Sequence, residues 1–302
     1  VAAAAEVVCI ASWNADLTSR IPRPLARGET LMARAFSIGP GGKGSNAAVA
    51  CARQGARTAV VARIGRDAFG AMALQLWADE GIDASHVEQA AGEPSGVAQI
   101  LVYDDGDNSI AVAPGAGAGL GEAQVHVARD TIAGAKIVIA SCEVPLAATQ
   151  AAFAIARAAG VTTLLNPAPA RPLPDALIAL TDVITPNESE LQALVGAGGD
   201  PAALLARGVR AVVGTRGAAG CAIFSADGLR RSMPGCRVER VVDTVGAGDT
   251  FTGALAAALA RGEPLVDAAA HANAAAALSV TGRGAIGGMP TRAQTLAFLH
   301  RG

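Results

Sequence analysis

Asp249 stands where a glycine-rich turn runs into a long apolar segment, in Asp243-Thr-Val-Gly-Ala-Gly-Asp-Thr-Phe251. Glycines let backbone N–H groups crowd toward one point, and the first N–H groups of a helix have no partner within it. A helix that starts this way binds anions, phosphate in particular. A carboxylate would spoil a simple anion site. It fits one in which a hydroxyl must lose its proton and then attack phosphorus. The competing reading is that Asp249 only caps the helix that follows, over Thr250–Ala260.

Three other clusters carry residue types suited to small polar ligands. Gly39-Pro-Gly-Gly-Lys-Gly-Ser-Asn46 precedes a helical run. It is not a Walker A loop, because Gly44 separates Lys43 from Ser45, and no segment fits the dinucleotide pattern of glycines between a strand and a helix. Consecutive glycines followed by Lys43 and Asn46 suit a close backbone approach to a polar ligand. Asn14-Ala-Asp16 lies just past an expected strand, where open parallel sheets bind ligands, and could bond vicinal hydroxyls. A plain turn is the alternative there. In Thr185-Pro-Asn-Glu-Ser-Glu190, Asn187 and Glu190 have the spacing of a capping box. They also suit the edge of a magnesium–phosphate cluster, since Mg²⁺ keeps several waters and uses few protein ligands.

The elements that must position these residues alternate. Strands are expected at Val7–Ala11, Thr58–Ile64, Ile137–Ala140, Thr162–Leu165, Val183–Thr185 and Ala211–Val213. Helices are expected at Ser45–Gln54, Ala68–Glu80, Leu146–Ala159 and Glu188–Leu194, and after Gly248 and Pro264. Repeated βαβ units imply a mostly parallel sheet between two helical layers, a three-layer αβα fold. One region breaks this rhythm. Val97–Tyr103 and Asn108–Val112 flank Asp104-Asp-Gly-Asp107, a hairpin turn signature. Glu29–Ile38 is also short, extended and half polar. These pieces suggest a small β lid, built from about residues 12–38 and 95–113, on one domain spanning 1–302. A surface hairpin without a role is the alternative. Val97, Ile100, Val102 and Ile110 give the hairpin an apolar face that a substrate or a second subunit would cover. Gly115–Gly121 is expected as a loop between lid and core.

Composition narrows the function classes. The chain has 302 residues, is 51% hydrophobic and 17% charged, and carries a net charge of −2. That balance is globular and offers no basic field for nucleic acid or anionic membrane. No apolar run approaches the ~20 residues of a membrane span. Val1–Ala5 is apolar but lacks the basic start of a signal peptide. The five scattered cysteines, Cys9, Cys51, Cys142, Cys221 and Cys236, fit reduced thiols in a cytoplasm. The four histidines show no metal-ligand spacing and are expected to be surface or core residues.

Five segments together resemble the ribokinase family of carbohydrate kinases, also called the PfkB family. They are Asn14–Asp16, Gly41–Asn46, Asn166-Pro-Ala-Pro-Ala170, Thr185–Glu190 and Asp243–Phe251. The resemblance covers nearly the whole chain, and Asn-Ala-Asp with Asn-Pro-Ala-Pro-Ala points to the family's ribose kinases. It implies ATP-dependent phosphorylation of a sugar's primary hydroxyl, D-ribose to D-ribose 5-phosphate. The alternatives are another sugar or a nucleoside as acceptor (deoxyribose, fructose, adenosine-like), or a non-catalytic sugar-binding regulator. By the same resemblance, Asp249 is the base, and Gly246, Ala247 and Gly248 form an anion hole. Asn14, Asp16, Gly42, Lys43, Asn46 and Glu143 hold the sugar. Asn187, Thr215, Arg216, Gly217, Gly248 and Asn273 serve the nucleotide, with Glu190 near hydrated Mg²⁺. A K⁺ site is implied at Asp243, Val245, Ser279, Gly282, Gly284 and Gly288. The family often has a serine hydroxyl at the position of Gly288, so weaker cation binding, or a water in the gap, is expected. The resemblance also implies a homodimer through the β lid.

Overall fold

The computed structural model describes residues 4–300; residues 1–3 of the Val1–Ala5 stretch lie outside them. The strands, in chain order, are Val7–Ile10 (β1), Asn14–Arg20 (β2), Ala35–Gly41 (β3), Thr58–Gly65 (β4), Asp83–Ala90 (β5), Val97–Val102 (β6) and Asn108–Ala113 (β7), then Ile137–Ser141 (β8), Thr162–Asn166 (β9), Val183–Ile184 (β10), Ala211–Thr215 (β11), Cys221–Ser225 (β12) and Arg230–Met233 (β13).

Nine strands form one sheet in the order β13-β12-β11-β10-β9-β8-β1-β4-β5. All neighbours from β11 to β5 are parallel. β12 and β13 turn back antiparallel at one edge. Helical crossovers enforce the parallel order and cover both faces, so the central strands are apolar throughout. In β1, Val7 and Cys9 face one helical layer, while Val8 and Ile10 face the other. The first layer holds helices Lys43–Arg53, Ala247–Ala260 and Leu265–Ser279. Ala254 to Ala258 are fully buried there, and such small side chains let helix backbones come close. Cys51 Sγ donates to the Gly253 carbonyl at 3.3 Å, so two of these helices lie side by side. Their N-termini therefore end together, beside the carboxyl ends of the parallel strands. All five cysteines are free, and four are buried. No helix among the described residues is long and apolar enough to cross a membrane.

The second sheet has four strands in the order β3-β2-β6-β7. Its root is tied to the main body by Asp67, the N-cap of helix Ala68–Asp79. Asp67 accepts from the Ser95 N–H and the Ser95 hydroxyl, each at 2.7 Å, just before β6.

Several expectations are corrected. Asn14–Asp16 is not a plain turn but the start of β2, paired with β3 and β6. The extended stretch expected at Glu29–Ile38 is displaced to Ala35–Gly41, because the chain before it turns at Gly28, φ 78°. There the Glu29 carboxylate binds Arg23 and the Ala26 N–H. Gly115–Gly119 forms a short 3₁₀ turn inside the expected loop. Strand register separates the four residues assigned to one apolar face. Ile100 pairs with Ile110 and Thr18, whereas Val97 pairs with Ala15 and Ala113. Side chains alternate along a strand, so Ile100, Val102 and Ile110 share the face of Asp16 while Val97 lies on the other. β5, β12 and β13 were not expected. β5 has charged and polar residues at most positions, and β13 is mostly exposed, so neither carries a clear apolar period.

Candidate active site

Asp249 is the third residue of helix Ala247–Ala260 and is 5% exposed. Gly246, the N-cap, has φ 79°, a left-handed conformation that glycine adopts without steric cost. The N–H groups of Gly248 and Asp249 fall in the first turn and have no intrahelical acceptor. Asp249 is thus a first-turn carboxylate, but its side chain bonds elsewhere. Asn46 Nδ2 donates to Oδ2 at 2.9 Å, and Asn166 Nδ2 donates to Oδ1 at 3.3 Å. The three residues come from two helices and the end of β9. Asn46 Oδ1 is buried and, among the described residues, has no hydrogen-bond partner, which marks it as an acceptor open to a hydroxyl.

Glu143 follows β8 and reaches the start of helix Lys43–Arg53. Its Oε2 accepts from the Ser12 hydroxyl at 2.7 Å and from the Lys43 N–H at 2.8 Å. Ser12 Oγ in turn accepts from the Gly44 N–H at 3.1 Å. This network satisfies the first N–H groups of a helix whose N-cap, Gly42, has no capping side chain. Sequence reasoning missed Ser12, which has no motif of its own, and assigned no role to Asn166.

Charges concentrate here. Burial pushes Asp16 up to about 7, with Glu143 and Asp249 adding to the rise and Lys43 opposing it. Burial pushes Asp249 up to about 6, opposed by Lys43 and the Asn46 amide. Lys43 is raised, chiefly by the negative charge of Asp249. Burial also raises Glu190. Asp16, Lys43, Glu143, Glu190 and Asp249 therefore form one electrostatic group between the small sheet and the ends of the main strands. Asn14 begins β2 on the same face as Asp16.

Of the residues assigned to the nucleotide, Gly248 adjoins Asp249, while Asn187, Thr215 and Arg216 lie to one side. Asn187 and Thr215 form a parallel bridge. With Arg216 they line a cleft of about 400 Å³ that also includes Pro186, Leu191 and Phe224. Asp249 is not among the residues lining this cleft. Gly217 opens the short 3₁₀ turn after β11. Asn187 and Glu190 do form the capping box, each side chain accepting the other's backbone N–H at 2.8 Å. That bond occupies Oε2 of Glu190. Asn273 sits on helix Leu265–Ser279 and donates to the Pro234 carbonyl at 2.8 Å.

The residues assigned to the monovalent cation meet at one corner. Asp243 accepts from the Val245 N–H at 3.0 Å and the Gly284 N–H at 2.9 Å. The Val242 and Asp243 N–H groups both donate to the Val280 carbonyl, which brings Ser279 and Gly282 alongside. Arg53 braces the corner by donating to the Ile286 and Met289 carbonyls at 2.8 and 3.0 Å. A carboxylate among backbone carbonyls is an oxygen donor set that suits a hard cation. Gly288 is tightly surrounded. Its backbone packs directly on the Ser279 carbonyl and on Gly282, and a Cβ there would collide with both.

A doubly wound α/β body, a glycine-started helix with a buried carboxylate, and a small sheet carrying Asp16 define a small-molecule phosphotransferase architecture. The pfkB family carbohydrate kinase model matches residues 4–292, and the chain belongs to that family. It is 39% identical to the ribokinase of Haemophilus influenzae, over 96% of this chain and 97% of that one. It is also 39% identical to the ribokinase of Mus musculus, over 85% of this chain and 82% of that one. The structure of Arabidopsis thaliana ribokinase complexed with ribose and ATP superposes with a TM-score of 0.93 at 32% identity, covering 98% of this chain and 99% of that one.

Proposed function

We propose that this chain transfers the γ-phosphoryl group of ATP to the primary hydroxyl of a pentose, converting D-ribose to D-ribose 5-phosphate. The observation that carries this reading is the Asp249 carboxylate, buried at a helix start and held by neutral amides rather than quenched by a salt bridge. Asp249 accepts the hydroxyl proton. The turn Gly246, Ala247 and Gly248 faces the transferring phosphoryl, with the Gly246 and Gly248 N–H groups toward it while the Ala247 N–H donates to the Thr244 carbonyl at 3.3 Å, and Lys43 adds positive potential. Asn14, Asp16, Gly42, Asn46 and Glu143 hold the sugar. Asn187, Thr215, Arg216, Gly217 and Asn273 serve the nucleotide. Mg²⁺ carried on the phosphates would neutralise their charge beside Glu190. The small sheet closes over the sugar and keeps out water, which competes for the phosphoryl group. The chain acts as one kinase unit in the cytoplasm, on small molecules, without nucleic acid or membrane. ADP release measured over a panel of ribose, deoxyribose, fructose and adenosine tests the acceptor. No turnover with any of them would favour a sugar-binding regulator.

The raised carboxylates give this reading a pH signature. Both Asp16 and Asp249 must be ionised, and each is protonated as pH falls through its raised value. kcat/KM for the sugar therefore falls as pH drops through about 7 to 6, as a joint titration of the coupled pair. A pH–rate profile flat down to about 5 would contradict this.

Turnover is expected to rise with K⁺ more than with Na⁺, through Asp243, Val245, Ser279, Gly282 and Gly284. Gly288 supplies no side-chain ligand, so the stimulation is modest. Gly288→Ser lowers thermal stability instead of strengthening it, because the new Cβ meets the Ser279 carbonyl. Turnover in K⁺, Na⁺ and tetramethylammonium, with a melting curve for the variant, checks both points.

A homodimer through the small sheet is supported by its uncovered apolar residues. On the Asp16 face, Ile110 is 54% and Val112 50% exposed. A second copy covering this face would bury them and complete the lid. Ile110→Asp is expected to give monomer by size exclusion with light scattering, and to raise the sugar KM while the main body stays folded. A fully active wild-type monomer would rule the dimer out.

A further inference from the structure

We propose that Asn166 is a positioning residue that fixes the plane of the Asp249 carboxylate against the acceptor hydroxyl. This rests on the reading of Asp249 as the base. A carboxylate bonded through one oxygen can still turn about its Cβ–Cγ bond. Asn46 holds Oδ2 from the helix that starts at Lys43. Asn166 holds Oδ1 from the opposite side, at the carboxyl end of β9. β9 lies between β8 and β10 in the middle of the parallel sheet, and Asn166 is 5% exposed. The amide is therefore mounted on a rigid element. Among the described residues, its Nδ2 has no hydrogen-bond acceptor other than Asp249, and Asp249 forms no salt bridge. Neutral amide donors suit a base. They orient the lone pairs and lower proton affinity less than a directly bonded lysine or arginine would.

The discriminating comparison is Asn166→Ala against Asn166→Asp, with steady-state kinetics for both substrates. Asn166→Ala deletes the donor. It is expected to lower kcat by roughly 10- to 100-fold, the cost of a misplaced catalytic group, with both KM values changed by less than about threefold. Asn166→Asp keeps the side-chain volume but puts a second carboxylate against the base, so it is expected to lose more activity than alanine. A packing role predicts the reverse order, the isosteric variant active and alanine impaired, and that order would overturn the proposal. If the buried carboxylate of Asn166→Asp unfolds the chain, Asn166→Ala still decides. Wild-type kcat, or a loss confined to KM, overturns the proposal. Asp249→Asn run in parallel separates the two readings. If it retains turnover, the base assignment fails. If it is inactive while Asn166→Ala is normal, only the role of Asn166 fails.

Discussion

Asp249→Asn is expected to abolish turnover while sugar binding stays close to wild type. The replacement keeps the shape and polarity of the side chain, but an amide cannot take the hydroxyl proton. General-base catalysis contributes typically 10² to 10⁴-fold, and kcat should fall by about that factor. The mutant side chain keeps one carbonyl oxygen to accept from one of the two amides, and the other amide can turn over to present its oxygen to the new NH2, so the fold around it should persist. Ribose binding by calorimetry, beside ADP release, checks both halves. More than a few per cent of wild-type kcat would mean that Asp249 is not the base. A matching loss of ribose affinity would mean that the effect is one of binding.

Asp16→Ala is expected to raise the sugar KM steeply and leave the ATP KM nearly unchanged. Asp16 is the third residue of β2, and its carboxylate lies within the field of Glu143, Lys43 and Asp249. Sugar hydroxyls left without an acceptor in a buried site lose roughly 1–3 kcal/mol each. For two vicinal hydroxyls this corresponds to a rise in KM of roughly 30-fold or more. On the proposed reading Asn14, Asn46 and Glu143 share the sugar, so kcat should fall less than KM rises. An unchanged sugar KM would remove Asp16 from the site. Asp16→Asn, which keeps hydrogen bonding but not charge, should fall between alanine and wild type.

Much of this molecule is legible in its sequence because the informative features are local. The βαβ rhythm follows from runs such as Val7–Ala11 and Leu146–Ala159, whose periods depend only on neighbouring residues. The glycine turn before Asp249 and the Asn187–Glu190 box are each complete within a few residues, and both stand where the sequence puts them. The fold class and the family follow from these features. Tertiary structure decided what depends on residues far apart in the chain. Ser12 bonds Glu143 across 131 positions, and Asn46 bonds Asp249 across 203. No spacing rule reaches that far. Strand register, set by pairing, put Val97 on the face opposite Ile100. The approach of the Ser279 carbonyl leaves no room for a Cβ at Gly288, which no local pattern announces. A single chain segment specifies its own turns and periods through nearest-neighbour sterics and hydrogen bonds. Which side chains meet at a site depends on how the layers pack, and that is a property of the whole fold.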